Sequence, residues 1–200
     1  MREMERHVMI FNVIAPVYNW FFTRQVRTYR SLIAQNERLF QLPTAGRVLD
    51  IGCGTGAFLF CLSERGYQAV GVDFSPSMLR AAKKSTVGKS IELLQGDVTQ
   101  GLDFPDKSFD LVLASYVLHG ISSGLRQQFY AEASRLSNGR VLFYDYNKNR
   151  RIFTDIIEWA ERGDYFEFVR HGEDEMRACF PSVERIDVGI QTALYICSPL

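Results

Sequence analysis

The stretch that most constrains this chain runs Val48-Leu49-Asp50-Ile51-Gly52-Cys53-Gly54-Thr55-Gly56-Ala57. Val48 to Ile51 is a short apolar run of the kind that forms a buried strand. Three alternate glycines follow. Ala57, Phe58, Leu59, Cys61 and Leu62 then make a compact apolar helix, with Gly66 in a helix-ending position. Strand, glycine turn and helix in that order predict a βα unit with a ligand at its turn. Glycine lets the backbone turn sharply and come close to a ligand. The helix N-terminus directs free N–H groups towards the same place.

Two ligand classes use such a turn. Gly52-x-Gly54-x-x-Ala57 fits the dinucleotide fingerprint, in which a pyrophosphate rests on the helix N-terminus. Asp50-x-Gly52-x-Gly54-x-Gly56 fits the site of S-adenosylmethionine (SAM). Asp50 separates the two, because a carboxylate at the strand end repels a pyrophosphate in a low-dielectric cleft. It suits a cofactor that carries an ammonium and a sulfonium. The stretch resembles motif I of the class I SAM-dependent methyltransferases. A tight βα turn without any ligand is the remaining alternative.

The next motifs follow the same order. Gln68 to Val72 reads as a second strand ending in Asp73-Phe74, and Asp73 stands about twenty residues past Gly52, where such folds place the acid that binds ribose hydroxyls. Charge-assisted bonds of this kind are strong. The alternative is a loop aspartate that caps the following helix. Ser75 supplies an N-cap and Pro76 a first-turn proline; Met78, Leu79, Ala81 and Ala82 form the buried side, and Lys83 and Lys84 suit the C-terminus. Ile91 to Gln95 is a third strand, followed by Gly96-Asp97-Val98. In the family's pattern an aspartate there reaches the adenine amino group and the next residue offers its N–H.

Leu111 to Ala114 reads as a central parallel strand buried on both faces. The segment Tyr116-Val117-Leu118-His119-Gly120-Ile121 follows at the strand's carboxyl end, where ligands of open α/β sheets bind. It resembles the family's Leu-His-His segment, with Gly120 in place of the second histidine. Ser122 and Ser123 can cap a helix from Gly124 to Leu136, with Leu125, Phe129 and Ala133 on one face and Gly139 ending it. Arg140 to Tyr146 is the expected fifth strand. Tyr144, Asp145, Tyr146 and Asn147 either line an acceptor pocket or cap the sheet. Ile152 to Arg162 reads as helix, Gly163 to Phe168 as an aromatic loop or short strand, and Glu173 to Phe180 as a short helix. Ile186, Val188 and Ile190 alternate, as do Leu194 and Ile196, which predicts a closing antiparallel hairpin.

At the other end, Tyr18, Phe22, Val26, Tyr29, Ile33 and Phe40 recur at steps of a long amphipathic helix beginning near Val17. Phe11 to Asn19 is similar to the leader of quinone-biosynthesis-type methyltransferases, where it lies over the cofactor. Residues 1–42 are therefore expected as a helical lid and packing helix, and 43–200 as the α/β core of a single domain spanning 1–200.

Composition narrows the partners. Lys plus Arg number 23 and Asp plus Glu 23, so the formal net charge is zero. A general nucleic-acid binder carries an electropositive surplus, so no nucleic acid is expected. The four cysteines, Cys53, Cys61, Cys179 and Cys197, form no C-x-x-C pair. With no secretory h-region, they read as reduced thiols of a cytoplasmic protein. No stretch reaches a membrane span. His7, His119 and His171 share no ligand spacing, so no metal site is expected.

The resemblance covers Phe11 to about Tyr146 by motif. It implies a Rossmann-like α/β/α sandwich with a seven-stranded, mostly parallel sheet and one antiparallel strand. It implies transfer of the SAM methyl to a small-molecule acceptor by in-line displacement, leaving S-adenosylhomocysteine (SAH). The residues it assigns to SAM are Tyr18, Asp50, Gly52, Cys53, Gly54, Gly56, Asp73, Phe74, Met78, Asp97, Val98 and Ser115. His119 is the candidate general base, with a loop-supporting histidine as its alternative reading. Tyr116, Tyr144, Tyr146 and Asn147 are candidates for the acceptor pocket. An NAD(P)-dependent oxidoreductase, read from Gly52, Gly54, Ala57 and Asp73, and a catalytically silent SAM-binding partner subunit remain the rival functions. The sequence leaves the acceptor and the oligomeric state open.

Overall fold

The computed structural model describes residues 22–149 and 164–200. The leader, with Tyr18, and the helix expected over Ile152 to Arg162 lie outside the described residues. The chain divides into two compact units, Met1–Asp97 and Val98–Leu200.

In the first unit, α1 (residues 22–35) buries Val26, Tyr29, Leu32 and Ile33. These steps of three and four are the expected stripe. Phe40, expected on the same helix, sits instead in a separate 3-10 turn, Glu37–Phe40. Tyr29 stacks on Phe58 with ring centroids 4.4 Å apart, which packs α1 onto α2 (Ala57–Ser63). The strands β1 (Arg47–Ile51), β2 (Gln68–Asp73) and β3 (Ile91–Gln95) are parallel, with Val48 opposite Ala69 and Val70 opposite Glu92. The crossover α3 (Pro76–Ser85) starts as its sequence predicts. Ser75 Oγ accepts from Met78 N at 3.3 Å, and Pro76 occupies the first turn. Such a cap is worth about 1 kcal/mol.

The second unit contains β4 (Phe109–Ser115), α4 (Ser123–Leu136), β5 (Ser137–Tyr146), α5 (Tyr165–Cys179), β6 (Ser182–Asp187) and β7 (Thr192–Ser198). β4 and β5 are parallel, whereas β7 runs antiparallel to both β5 and β6. Strand order is β3-β2-β1-β4-β5-β7-β6, a seven-stranded, mostly parallel, Rossmann-like sheet with one reversed strand, as expected.

Three further local expectations are corrected. Gly139 does not end α4, which stops at Leu136 and passes directly into β5. A Cβ at Gly139 would stand 2.3 Å from the Asp110 carbonyl oxygen, at the place where the β4–β5 register shifts. The glycine serves strand approach, not a helix cap. The aromatic segment and the short helix after it are one helix, α5, because Tyr165, Phe168, Val169, Gly172 and Met176 form a single buried helical stripe. The closing hairpin begins earlier than expected, at Ser182, which leaves Val188 and Ile190 in its turn. Ile190 is accordingly 63% exposed.

All four cysteines are free thiols. Among the described residues no helix is long and apolar enough to cross a membrane.

Candidate functional site

In the first unit the glycine turn is built from the ends of β1 and β2. Gly52 N and Cys53 N both donate to Val72 O, at 2.8 and 3.1 Å, and Gly54 N donates to Asp73 Oδ2 at 2.8 Å. The turn's amides thus hold the loop against β2. Gly54 and Gly56 have φ of +54° and +75°, a region that side chains avoid. At Gly56 a Cβ would also press on Thr86 Cγ2 at 3.0 Å. At Gly54 it would meet nothing within 4 Å, so the chain leaves open space at that turn.

Asp73 closes this arrangement. Its Oδ1 accepts from Ser75 N at 2.8 Å while its Oδ2 holds Gly54. Each carboxylate oxygen has two lone pairs, so capacity remains for a diol. Burial raises the Asp73 pKa above the usual carboxylate range despite these two N–H bonds. Asp50, at the end of β1, is 2% exposed, and its Oδ1 has no hydrogen-bond partner. Burial, and secondarily the charge of Asp73, push its carboxyl well up. A buried acceptor without a donor is costly, and a cationic ligand group would satisfy it. The Cys53 thiol is also buried and pushed up, first by burial and then by Asp73 and Asp50.

Thr55 Oγ1 donates to Gln25 Oε1 at 3.0 Å, which ties the glycine turn to α1. Met78 is buried on α3, Phe74 and Asp97 are half-buried, and Asp97 directly precedes the 3-10 turn Val98–Gln100.

The second unit carries a separate polar cluster. Asp145, 1% exposed on β5, accepts from Leu118 N at 2.9 Å and His119 N at 3.4 Å through Oδ2. Its Oδ1 lies 2.7 Å from His119 Nδ1. A carboxylate only accepts, so the neutral imidazole carries its proton on Nδ1 and its lone pair on Nε2. Around it stand Tyr116, Tyr144 and Tyr146. The His119 and Tyr146 rings are 4.8 Å apart, Tyr116 and Tyr144 5.0 Å, and Tyr116 and Tyr146 5.5 Å. Tyr116 follows Ser115, the last residue of β4, with φ +55° and is 37% exposed. Asn147 has another occupation: its Nδ2 donates to Asp187 Oδ1 and Ile190 O, at 3.2 and 3.3 Å, fastening the closing hairpin.

Asp145 was legible in the sequence only as one of four polar groups, and Arg126 not at all. Arg126 is 0% exposed. The available signal is its position on the stripe with Phe129, Tyr130 and Ala133, where a charged residue breaks an apolar pattern.

A family model described as "Methyltransferase domain" matches residues 48–139. The demethylmenaquinone methyltransferase of Tropheryma whipplei (strain Twist) is 37% identical over 113 residues, 54% of this chain and 46% of that protein. The mouse 18S rRNA (guanine-N(7))-methyltransferase is 48% identical over 64 residues, 32% of this chain and 22% of that protein. The chain spans about half or less of the length of these curated relatives. A solved Pyrococcus horikoshii OT3 protein superposes with a TM-score of 0.64 at 25% identity, covering 86% of this chain and 91% of its own. The matched segment contains the glycine turn, Asp50 and Asp73, so this part of the chain is similar to the methyltransferase domains that the model describes.

Proposed function

We propose that this chain is a methyltransferase that moves the methyl group of SAM to a small organic acceptor. The observation that carries the reading is the buried Asp50 carboxylate, whose Oδ1 lacks a partner beside a glycine turn held by Asp73. Those residues fit SAM. Asp50 would take the α-ammonium, Asp73 the ribose hydroxyls, and the space at Gly54 would admit close approach. Gly52, Cys53, Gly56, Phe74, Met78, Asp97, Val98, Ser115 and Tyr18 retain their sequence-based assignment to the same cofactor. A pyrophosphate is disfavoured next to two carboxylates.

When bound, SAM supplies a methyl group on a positively charged sulfur, which leaves as a neutral thioether. The protein's contribution is alignment and exclusion of water, on the order of 7–11 kcal/mol where near-attack geometry is reached. His119, with its lone pair directed to Nε2 by Asp145, can hold the proton of an acceptor that must lose one. Tyr116, Tyr144 and Tyr146 would offer ring faces and hydroxyls to that acceptor.

The small-molecule reading rests on the zero formal charge and on the name of the demethylmenaquinone relative. An RNA acceptor is the second reading, favoured by the rRNA-methylating relative. The four cysteines without a C-x-x-C pair support a cytoplasmic location. Calorimetry against SAM, SAH and NAD tests the cofactor: binding of NAD alone would end the proposal. Transfer of label from SAM to a metabolite extract, with structured RNA in parallel, tests the acceptor. Label in neither, with SAH bound, would leave only the silent partner subunit.

A further inference from the structure

We propose that Arg126 is a positioning residue for His119, fixing the tautomer and aim of the imidazole by clamping the turn that carries it. The proposal rests on the reading of this chain as a methyltransferase only where it gives His119 a catalytic use.

The turn is the 3-10 segment Leu118–Gly120 with Ile121 after it. Its two sides are gripped by opposite charges. On one side the N–H groups of Leu118 and His119 point at Asp145. On the other, Arg126 Nη1 donates to Ile121 O at 2.5 Å and reaches Leu118 O at 3.5 Å. A peptide segment whose amides face an anion and whose carbonyls face a cation has its orientation fixed twice. The imidazole leaves the chain inside this grip, which is why its Nδ1 can sit 2.7 Å from Asp145.

Arg126 is itself immobilised. Nε donates to Glu175 Oε2 at 2.6 Å and Nη2 to Glu175 Oε1 at 2.8 Å, a bidentate fork, while Nη1 also meets Asp164 Oδ2 at 2.9 Å. The guanidinium carbon lies 5.6 Å from the centre of the Phe168 ring. Glu175, Asp164 and Phe168 belong to α5 or its cap. The acidic partners hold the Arg126 pKa above its usual value against the opposing effect of burial, and Arg126 holds the Glu175 carboxyl below its own. A lysine cannot replace this geometry, because an ammonium has no planar fork to bridge a carboxylate and two carbonyls at once.

A purely structural pair would explain the burial equally well, so the test reads the imidazole and not stability alone. The full chain, with 15N-labelled histidine, is examined by long-range 1H–15N correlation; the His119→Gln variant assigns the resonance among three histidines. Wild type should show the neutral ring protonated on Nδ1. Arg126→Lys should lose that pattern, with the Nε2–H form appearing, while still binding SAH through Asp50 and Asp73. The double variant Arg126→Met with Glu175→Leu replaces the buried pair by apolar groups, a change such pairs often tolerate. It should fold and show the same loss. A folded variant of either kind that keeps the Nδ1–H pattern overturns the proposal. Failure of wild type to bind SAH would instead count against the functional reading and leave the tautomer result standing.

Discussion

Substitution at Asp73 separates two jobs that the sequence offers as alternatives. Read from sequence, Asp73 is either the acid that binds the ribose hydroxyls or a loop aspartate that caps the next helix. In the structure it also accepts from Gly54 N and Ser75 N, both at 2.8 Å. A hydrogen bond to a charged group contributes about 1.5–3 kcal/mol. Asp73→Ala removes two, with water replacing part of the loss at a half-buried site, so destabilisation should be about 2–4 kcal/mol. For a chain of this size that is roughly 5–15 °C in Tm. Asp73→Asn keeps one acceptor oxygen but turns an NH2 towards the other backbone donor, and should cost about half as much. Affinity for SAH should fall by about 10–150-fold in either variant, the equivalent of one lost charge-assisted bond. Thermal unfolding without ligand and calorimetry with SAH measure the two effects. An Asp73→Ala protein with unchanged melting would refute the loop-holding role, and one that is loosened but binds SAH as before would refute the ribose role.

The other expectations are briefer. The Asp50 and Asp73 pKa values are raised on folding, so the folded state keeps their protons to higher pH than the unfolded chain does. Their cost to stability is absent below the ordinary carboxylate range and grows as pH rises through the folded values. Asp50→Asn should therefore melt higher than wild type at neutral pH and equally in acid, while binding SAH about 10–150-fold more weakly; a lower melting point at neutral pH would contradict this. His119→Gln should leave SAH binding intact and, with the acceptor known, slow turnover by about 10²–10⁴; a loss under tenfold returns His119 to a supporting role. Amide exchange over Met1 to Asn19 should slow when SAH is added, and deletion of Met1 to Pro16 should weaken SAH binding in a folded protein, if that leader acts as a lid. Equal exchange with and without SAH would make the segment ordinary packing.

What the sequence made legible was local, and what it hid was paired across long separations. The β1 run, the glycine turn, Ser75-Pro76 and the stripes of α1 and α3 each specify themselves within about ten residues, through periodicity, capping and backbone freedom. Gly139 has the same local appearance as a helix terminator, but its use is set by the Asp110 carbonyl. The aromatics of α5 look like strand residues until Tyr165 meets Tyr146 and Phe168 meets Tyr195, at 5.0 and 6.5 Å between rings. Arg126 and Glu175 show the principle most directly. Arg126 interrupts the apolar stripe Phe129-Tyr130-Ala133, and Glu175 stands one turn from Gly172 and beside Met176 on α5. Taken alone, each is a defect in an amphipathic pattern. A buried charge without a partner is too costly to persist, so a defect of one sign implies one of the opposite sign in another stripe. Only the fold says which two stripes meet, and here the meeting point is the turn that holds His119.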